Sequence, residues 1–299
     1  MDSRAPLTGG QRLARNPTAR VCGVILGLLA LSAFVGPLFF PASYALPSAL
    51  QYAPPSWTHP FGTDLNGRDL LLRVLMGTRV SLVVGICGAL VSLFIGTAYG
   101  LVAGYAGGRI DGAMMRLVDI LYSIPRLIFI LVLINAFNRS LQNFASAHGW
   151  QDLVDYSSIV ILVFALGIIE WLTMARIVRG QVLALKSRQF VTAAQALGQS
   201  HFRILVRHLL PNLLGVIIIY LTLTIPAVII DESFLSFLGL GIQAPHASLG
   251  SLLSDGVAAI NPVRNLSWMI VFPSLAMALI LLALNFLGDA LRDALDPRR

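Results

Sequence analysis

Cysteine is almost absent from this sequence, and so is lysine. The two cysteines, Cys22 and Cys87, both lie in or beside apolar runs. They make no disulfide framework and have no metal-ligand spacing, so they read as small hydrophobic residues. Lysine occurs once, at Lys186, behind Leu183, Ala184 and Leu185. A phosphate-binding loop needs a glycine-rich turn ending in Gly-Lys, so this chain does not bind ATP in that way, and any ATPase must be a different polypeptide. Charge is scarce too: 12% of the residues are charged, where a soluble protein carries about 25%. There is no separate basic domain, which argues against nucleic acid as a partner. No His/Glu metal pattern and no Ser/Lys pair within a span supports an intramembrane enzyme, so neither a catalytic nor a metal site is expected. No internal repeat is visible, and Glu170 is the only acid deep in an apolar run. A stand-alone secondary transporter needs more than that.

What is present is apolar length. Hydrophobic residues make up 57% of the chain, and the net charge is +7. The class is therefore an all-α polytopic membrane protein, with six transmembrane helices expected. Residues 1–20 form a polar tail carrying Arg4, Arg12, Arg15 and Arg20, and residues 21–40 a first span, expected to stay uncleaved. Residues 41–79 form an external loop with an amphipathic segment from Leu70 to Val80. His59, Asp64, Arg68 and Asp69 lie in that loop, but Pro60, Gly62 and Gly67 mark it as turns rather than a catalytic site. Residues 80–288 form a five-span domain, and 289–299 a second tail. The second span is rich in small residues at close-packing spacing: Gly85, Gly88, Gly96, Gly100 and Gly104. A short charged turn, 109–116, leads to a third span over 117–137, kinked by Pro125, with Arg126 snorkelling to the interface. Residues 138–157 read as a polar loop.

The fourth span, 159–174, holds Glu170, for which Arg176 or an arginine of another chain is the expected partner. The fifth, 213–230, ends on Asp231 and Glu232. Acids inside or at the end of a span face a pathway or pair locally; Glu170, Asp231 and Glu232 are therefore candidates for a translocation path or gate. Residues 244–265 read as an external loop and 266–288 as the sixth span. With both termini inside, Arg68, Arg73, Arg79, Arg139 and Arg264 fall outside, and every other positive residue except Arg126 falls on the cytoplasmic side. That asymmetry supports a cytoplasmic N- and C-terminus.

The chain is organised around a polar island, 187–212, within the cytoplasmic loop 176–212. It reads as two short helices with a joint. Val191, Ala194, Gln195 and Gly198 share one face of the first, and Ala193, Ala196 and Leu197 fill the turns. Gly198 suits a left-handed position past a helix end, Ser200 an N-cap, and Pro211 the start of a new helix. On the residues alone this is either a docking element for a soluble partner or an amphipathic helix on the bilayer, with Arg203 and Arg207 facing phosphates.

The order Ala193-Ala194, Gly198, Ile204, Leu210-Pro211-Asn212 resembles the cytoplasmic loop signature of permease subunits of binding-protein-dependent ATP-binding cassette importers. His59 to Asp64, then Gly67-Arg68-Asp69, resembles the peptide-transporting branch. Trp171, Ala175 and Arg176, the segment from Glu232 to Gly241, and the tail from Leu284 resemble the permease family. The chain is most similar to the C-type subunit of dipeptide and oligopeptide systems. It departs at Thr192, where the family usually has Glu, and at Leu249, where it tends to have Trp; Glu170, Arg126 and Asp231 are not part of the pattern.

The resemblance implies import of di- or oligopeptides, or of nickel, glutathione or another solute by the same architecture, across a bacterial inner membrane. It implies a second homologous permease, two ATPase subunits holding ATP and Mg, and an extracytoplasmic solute-binding protein. The coupling helix would then be Gln189, Phe190, Val191, Thr192, Ala193, Ala194, Gln195, Ala196, Leu197 and Gly198. Ala193 and Ala194 would be buried in the ATPase cleft, Gly198 would give the bend, and Arg203, Arg207 and Pro211 would fix the segment that follows.

Overall fold

Inside a bilayer the backbone must satisfy its own hydrogen bonds, so apolar runs become helices. The computed structural model describes residues 9–39, 46–242 and 246–295. Helix is the only regular element among them, apart from an isolated bridge between Thr63 and Asp69. The helices are α1 Gly9–Arg15, α2 Pro17–Phe39, α3 Leu70–Ala106, α4 Gly108–Ser123, α5 Arg126–Ala147, α6 Gln151–Asp155 and α7 Ser157–Lys186. They continue as α8 Gln189–Ala196, α9 His201–Ile204, α10 Leu210–Phe237, α11 Leu249–Ala258 and α12 Trp268–Leu295, with a π-helical turn at Leu205–Leu209. Six stretches are long and apolar enough to cross a membrane: Pro17–Phe39, Leu70–Ala106, Arg126–Ala147, Ser157–Lys186, His201–Phe237 and Trp268–Leu295.

The chain divides into two units, one of residues 1–85 and 229–299, the other of residues 86–228. In the first, α12 packs against α2 and α11. The loop before α3 is folded onto α12: Phe61 stacks on Phe272 with ring centroids 3.9 Å apart. Asp64 is the hub of that loop. Only 1% exposed, it accepts from the backbone N–H groups of Asn66 and Arg68, from Arg68 Nε at 2.7 Å and from an Arg73 guanidinium N–H at 2.7 Å. Arg73 also reaches Asp255 of α11 at 3.1 Å. His59 Nδ1 sits 2.8 Å from Asp69 Oδ2.

In the second unit, glycine lets α3 meet α7 at backbone distance. A Cβ on Gly96 would lie 2.8 Å from the Trp171 carbonyl oxygen, and one on Gly104 2.9 Å from that of Arg179. The favour is returned at Gly167, where a Cβ would lie 2.6 Å from the Val91 side chain. Such contact is how helices associate where lipid supplies no hydrophobic drive. Arg179 of α7 then clamps Asp111 of α4 with two parallel bonds, of 2.6 and 2.7 Å.

Several sequence expectations shift. Leu70 to Val80 contains no proline, so it is continuous with the second span in α3. Pro125 does more than kink: the chain leaves helix at Ile124 and restarts at Arg126, so the helical stretch before it is α4 and the third span is α5. A proline disfavours helix in the residue before it and suits a helix start. The expected polar loop after it is helical through Ala147 and again over Gln151–Asp155. The expected external loop holds α11, started by a reciprocal capping box between Ser248 and Ser251. The fifth span does not end at Asp231 but runs to Phe237. The ends of the first span, of the 244–265 loop and of the C-terminal tail include residues outside the described ones.

Candidate functional site

The polar island folds as two short helices and a joint. Three residues past Lys186, α8 begins at Gln189 after an extended Arg188. Its Val191 and Ala194 are buried, packed with Met174, Val178 and Val182 of α7 and with Ile204, Leu209 and Leu213. Ala194 therefore belongs to the chain's own core and is not available to a partner's cleft, contrary to the sequence expectation. Val191 is closed off in the same way. Alanine and valine three residues apart make one helix face, and that face is spent on α7 and α10.

The adjacent stripe faces outward. Phe190 is 38% exposed and Leu197 80% exposed, and Ala193 lies between them, also exposed. These residues follow an i, i+3, i+7 pattern, the anchor spacing of a helix that lies in another protein's groove. Gln189, Thr192 and Ala196 are exposed beside them. The Thr192 hydroxyl turns back onto the Gln189 carbonyl at 2.9 Å.

Gly198 takes φ +71° and has open space where a Cβ would be. Its role is conformational: the left-handed backbone lets the Gln199 N–H close on the Ala194 carbonyl at 3.1 Å, ending α8. Ser200 has the extended backbone of an N-cap but its side chain makes no capping bond. Gln199 instead meets His208 at 2.8 Å, bracing the joint. The second helix does not restart at Pro211. Helical backbone runs from His201, and the π-helical turn at Leu205–Leu209 absorbs the strain just before the proline. Asn212 donates to the carbonyl of His208 at 2.6 Å, and Arg203, Arg207 and Pro211 are exposed. The island is also tied to α3: the Tyr105 hydroxyl lies 2.8 Å from His201 Nδ1, and Lys186 donates to the Tyr105 carbonyl.

The three acids have different surroundings. Glu170 is paired with Arg126, not Arg176. Six residues along a helix turn Arg176 well away from Glu170, and Arg176 pairs with Asp119 at 2.7 Å. The partner came from the start of α5, and only the break at Pro125 brings it there. Asp231 and Glu232 lie within α10, not at its end in water. Asp231 is half-buried. Glu232 is 0% exposed and caged by serine: Ser81 Oγ donates at 2.8 Å, Ser236 Oγ at 2.7 Å and Ser233 Oγ at 3.2 Å. Sequence reading missed this cage, although Ser233 and Ser236 stand one and four residues from Glu232, within reach on a helix. Ser81 has no such local signal.

Residues 96–299 match the family described as binding-protein-dependent transport system inner membrane component, and residues 10–55 match the N-terminal transmembrane domain of oligopeptide transport permease C. The chain is 42% identical over 297 residues to the oligopeptide transport system permease protein OppC of Haemophilus influenzae, covering 96% of this chain and 87% of that one. It is 43% identical over 289 residues to the dipeptide transport system permease protein DppC of Bacillus subtilis, covering 96% and 84%. Among solved structures it is similar to an inward-facing methionine ABC transporter, MetNI, with a TM-score of 0.54 and 21% identity over 76% of this chain and 97% of that one. That last likeness concerns the fold alone.

Proposed function

The chain belongs to the family of binding-protein-dependent transport system inner membrane components, and we propose that it is the permease subunit of an ATP-driven importer of di- and oligopeptides. Its six apolar helices and its family make it a multi-pass inner membrane protein. It forms half of the translocation pathway; a second, homologous permease forms the other half. Two ATPase subunits carry ATP and Mg, and an extracytoplasmic binding protein delivers the solute. Both termini lie in the cytoplasm.

One observation carries the coupling part of this reading. The stripe of Phe190, Ala193 and Leu197 is exposed while Val191 and Ala194 anchor the same helix to α7 and α10. A helix fixed on one side and apolar on the next is built to transmit force from a partner to the spans. Exposed apolar side chains in a row are otherwise a liability. Gln189, Thr192, Ala196 and Gly198 shape the rim and the bend; Arg203 and Arg207 hold the segment beside the acidic lipid or the partner. ATP closes the ATPase pair, α8 moves with it, and α7 and α10 re-tilt so that the path opens to the other side. Glu170 and Asp231 stand beside that path, and Glu232 holds the helices that bound it.

The test is reconstitution of the chain with its second permease, ATPases and binding protein, followed by uptake of trialanine. ATP-dependent uptake that needs the binding protein is the expected result. Uptake by the chain without ATP overturns the reading.

A further inference from the structure

Three polar groups of α7, Glu170, Thr173 and Arg176, recur every third residue, a stripe that winds round the helix from one to the next. Each meets a partner from the chain around the break at Pro125. Arg126 pairs with Glu170, Tyr122 bonds Thr173, and Asp119 pairs with Arg176. Arg176 also stands 4.0 Å over the Tyr122 ring. Charged groups at the depth of a span are costly against lipid tails, so they pair with one another and face the bundle interior or a water-filled path.

At one end of this stripe lies a cavity of about 90 Å³, walled by Tyr122, Phe129 and Ile168 and reached by Arg126, Glu170 and Thr173. That volume suits the end of a molecule rather than the whole of one. The two charges are not equally accessible. The Glu170 side chain is 11% exposed and that of Arg126 41%. The recessed carboxylate holds the guanidinium, and the guanidinium is what a solute meets. A planar guanidinium recognises a carboxylate with paired hydrogen bonds, and the aromatic and aliphatic walls strengthen such bonds by excluding water.

We propose that Arg126, held by Glu170 in this cavity, receives the carboxylate end of the transported peptide, an inference that rests on the reading of the chain as a peptide permease. Glu170 is a positioning residue. It keeps Arg126 extended across the cavity and neutralises it when no solute is present. The negative end of a peptide then competes for a cation that is already aimed into the cavity mouth.

The test compares ATP-driven uptake of trialanine and of trialanine amide, which lacks the carboxylate, by the assembled transporter in proteoliposomes. The binding protein is the same in every sample, so its own preference cancels when variants are compared with the wild type. Arg126→Gln should lower the ratio of trialanine to trialanine amide uptake about tenfold, the value of one charge-assisted hydrogen bond. Arg126→Lys, which keeps the charge but not the fork, should fall between. Co-elution of each Arg126 variant with the second permease and the ATPase subunits serves as the control for folding and assembly. Equal loss of both peptides, with the ratio unchanged, makes Arg126 a structural residue and overturns the proposal while leaving the permease reading intact. A wild type that takes up neither peptide overturns the peptide reading and this proposal with it.

Discussion

The Ser81 hydroxyl donates to the buried Glu232 carboxylate across 2.8 Å, joining positions 151 residues apart. The same Ser81 oxygen accepts from the Leu249 N–H at 3.4 Å, so α3, α10 and the start of α11 share one polar knot. A buried carboxylate is stable only while its hydrogen bonds hold. Ser81→Ala should therefore cost about 1–3 kcal/mol. The measurement is the temperature at which the detergent-solubilised chain loses its monodisperse elution peak. Ser251→Ala, on the same helix start but outside the cage, should shift it less.

Arg73 carries a heavier share of the external loop. It is only 6% exposed and bridges Asp64 and Asp255. Arg73→Met should approach the lower end of the ~3–5 kcal/mol lost when a buried pair is broken, because Arg68 keeps its own bond to Asp64. Asp255→Asn should cost less than about 1 kcal/mol, since that carboxylate is half-exposed. Protease sensitivity of the loop in intact vesicles reads both: Arg73→Met should be cut and Asp255→Asn should not.

Gly96 has no room for a side chain against Trp171 and Met174. Gly96→Val should overpack the contact of α3 with α7 and cost about 1–3 kcal/mol. Gly180, with nothing within 4 Å of where a Cβ would be, should accept Ala with no loss. Thermal inactivation of the two variants side by side distinguishes a packing glycine from a passive one.

At Gly198 the cost is conformational. Leu at φ +71° is disfavoured by about 1–2 kcal/mol, yet no atom stands in its way. Gly198→Leu should leave the spans folded and shift the joint after α8. The expected outcome is ATP hydrolysis that no longer drives uptake. Normal uptake by this variant contradicts a coupling role for the bend.

The spans were legible because length and hydropathy alone define them. What was not legible rested on pairings distant in sequence. Arg73 looked like the polar face of a surface helix because Asp255, its partner, lies 182 residues away. For Glu170 the sequence offers Arg176 or an arginine of another chain, while the partner in the structure, Arg126, depends on a break that reads in sequence only as a kink. Ala194 reads in sequence as a docking residue because its spacing fits any apolar face. Spacing identifies a face but not what covers it, and here the chain's own α7 and α10 cover it. The neighbouring residues Phe190 and Leu197 carry the exposed stripe that the same pattern left unassigned to a side.

The central claim is that the exposed stripe of α8 is where an ATPase docks, and co-purification tests it most directly. The chain is expressed with its second permease and ATPase subunits, as wild type, as Ala193→Arg and as Ala194→Arg. Ala193→Arg should lose the ATPase while the two permeases still elute together, because it adds a charge to an exposed stripe and disturbs no core. Ala194→Arg should instead lower the yield of folded permease, because it drives a charge among Val178, Val182 and Ile204. An Ala193→Arg complex that keeps its full complement of ATPase contradicts the account and moves the docking surface elsewhere on the chain.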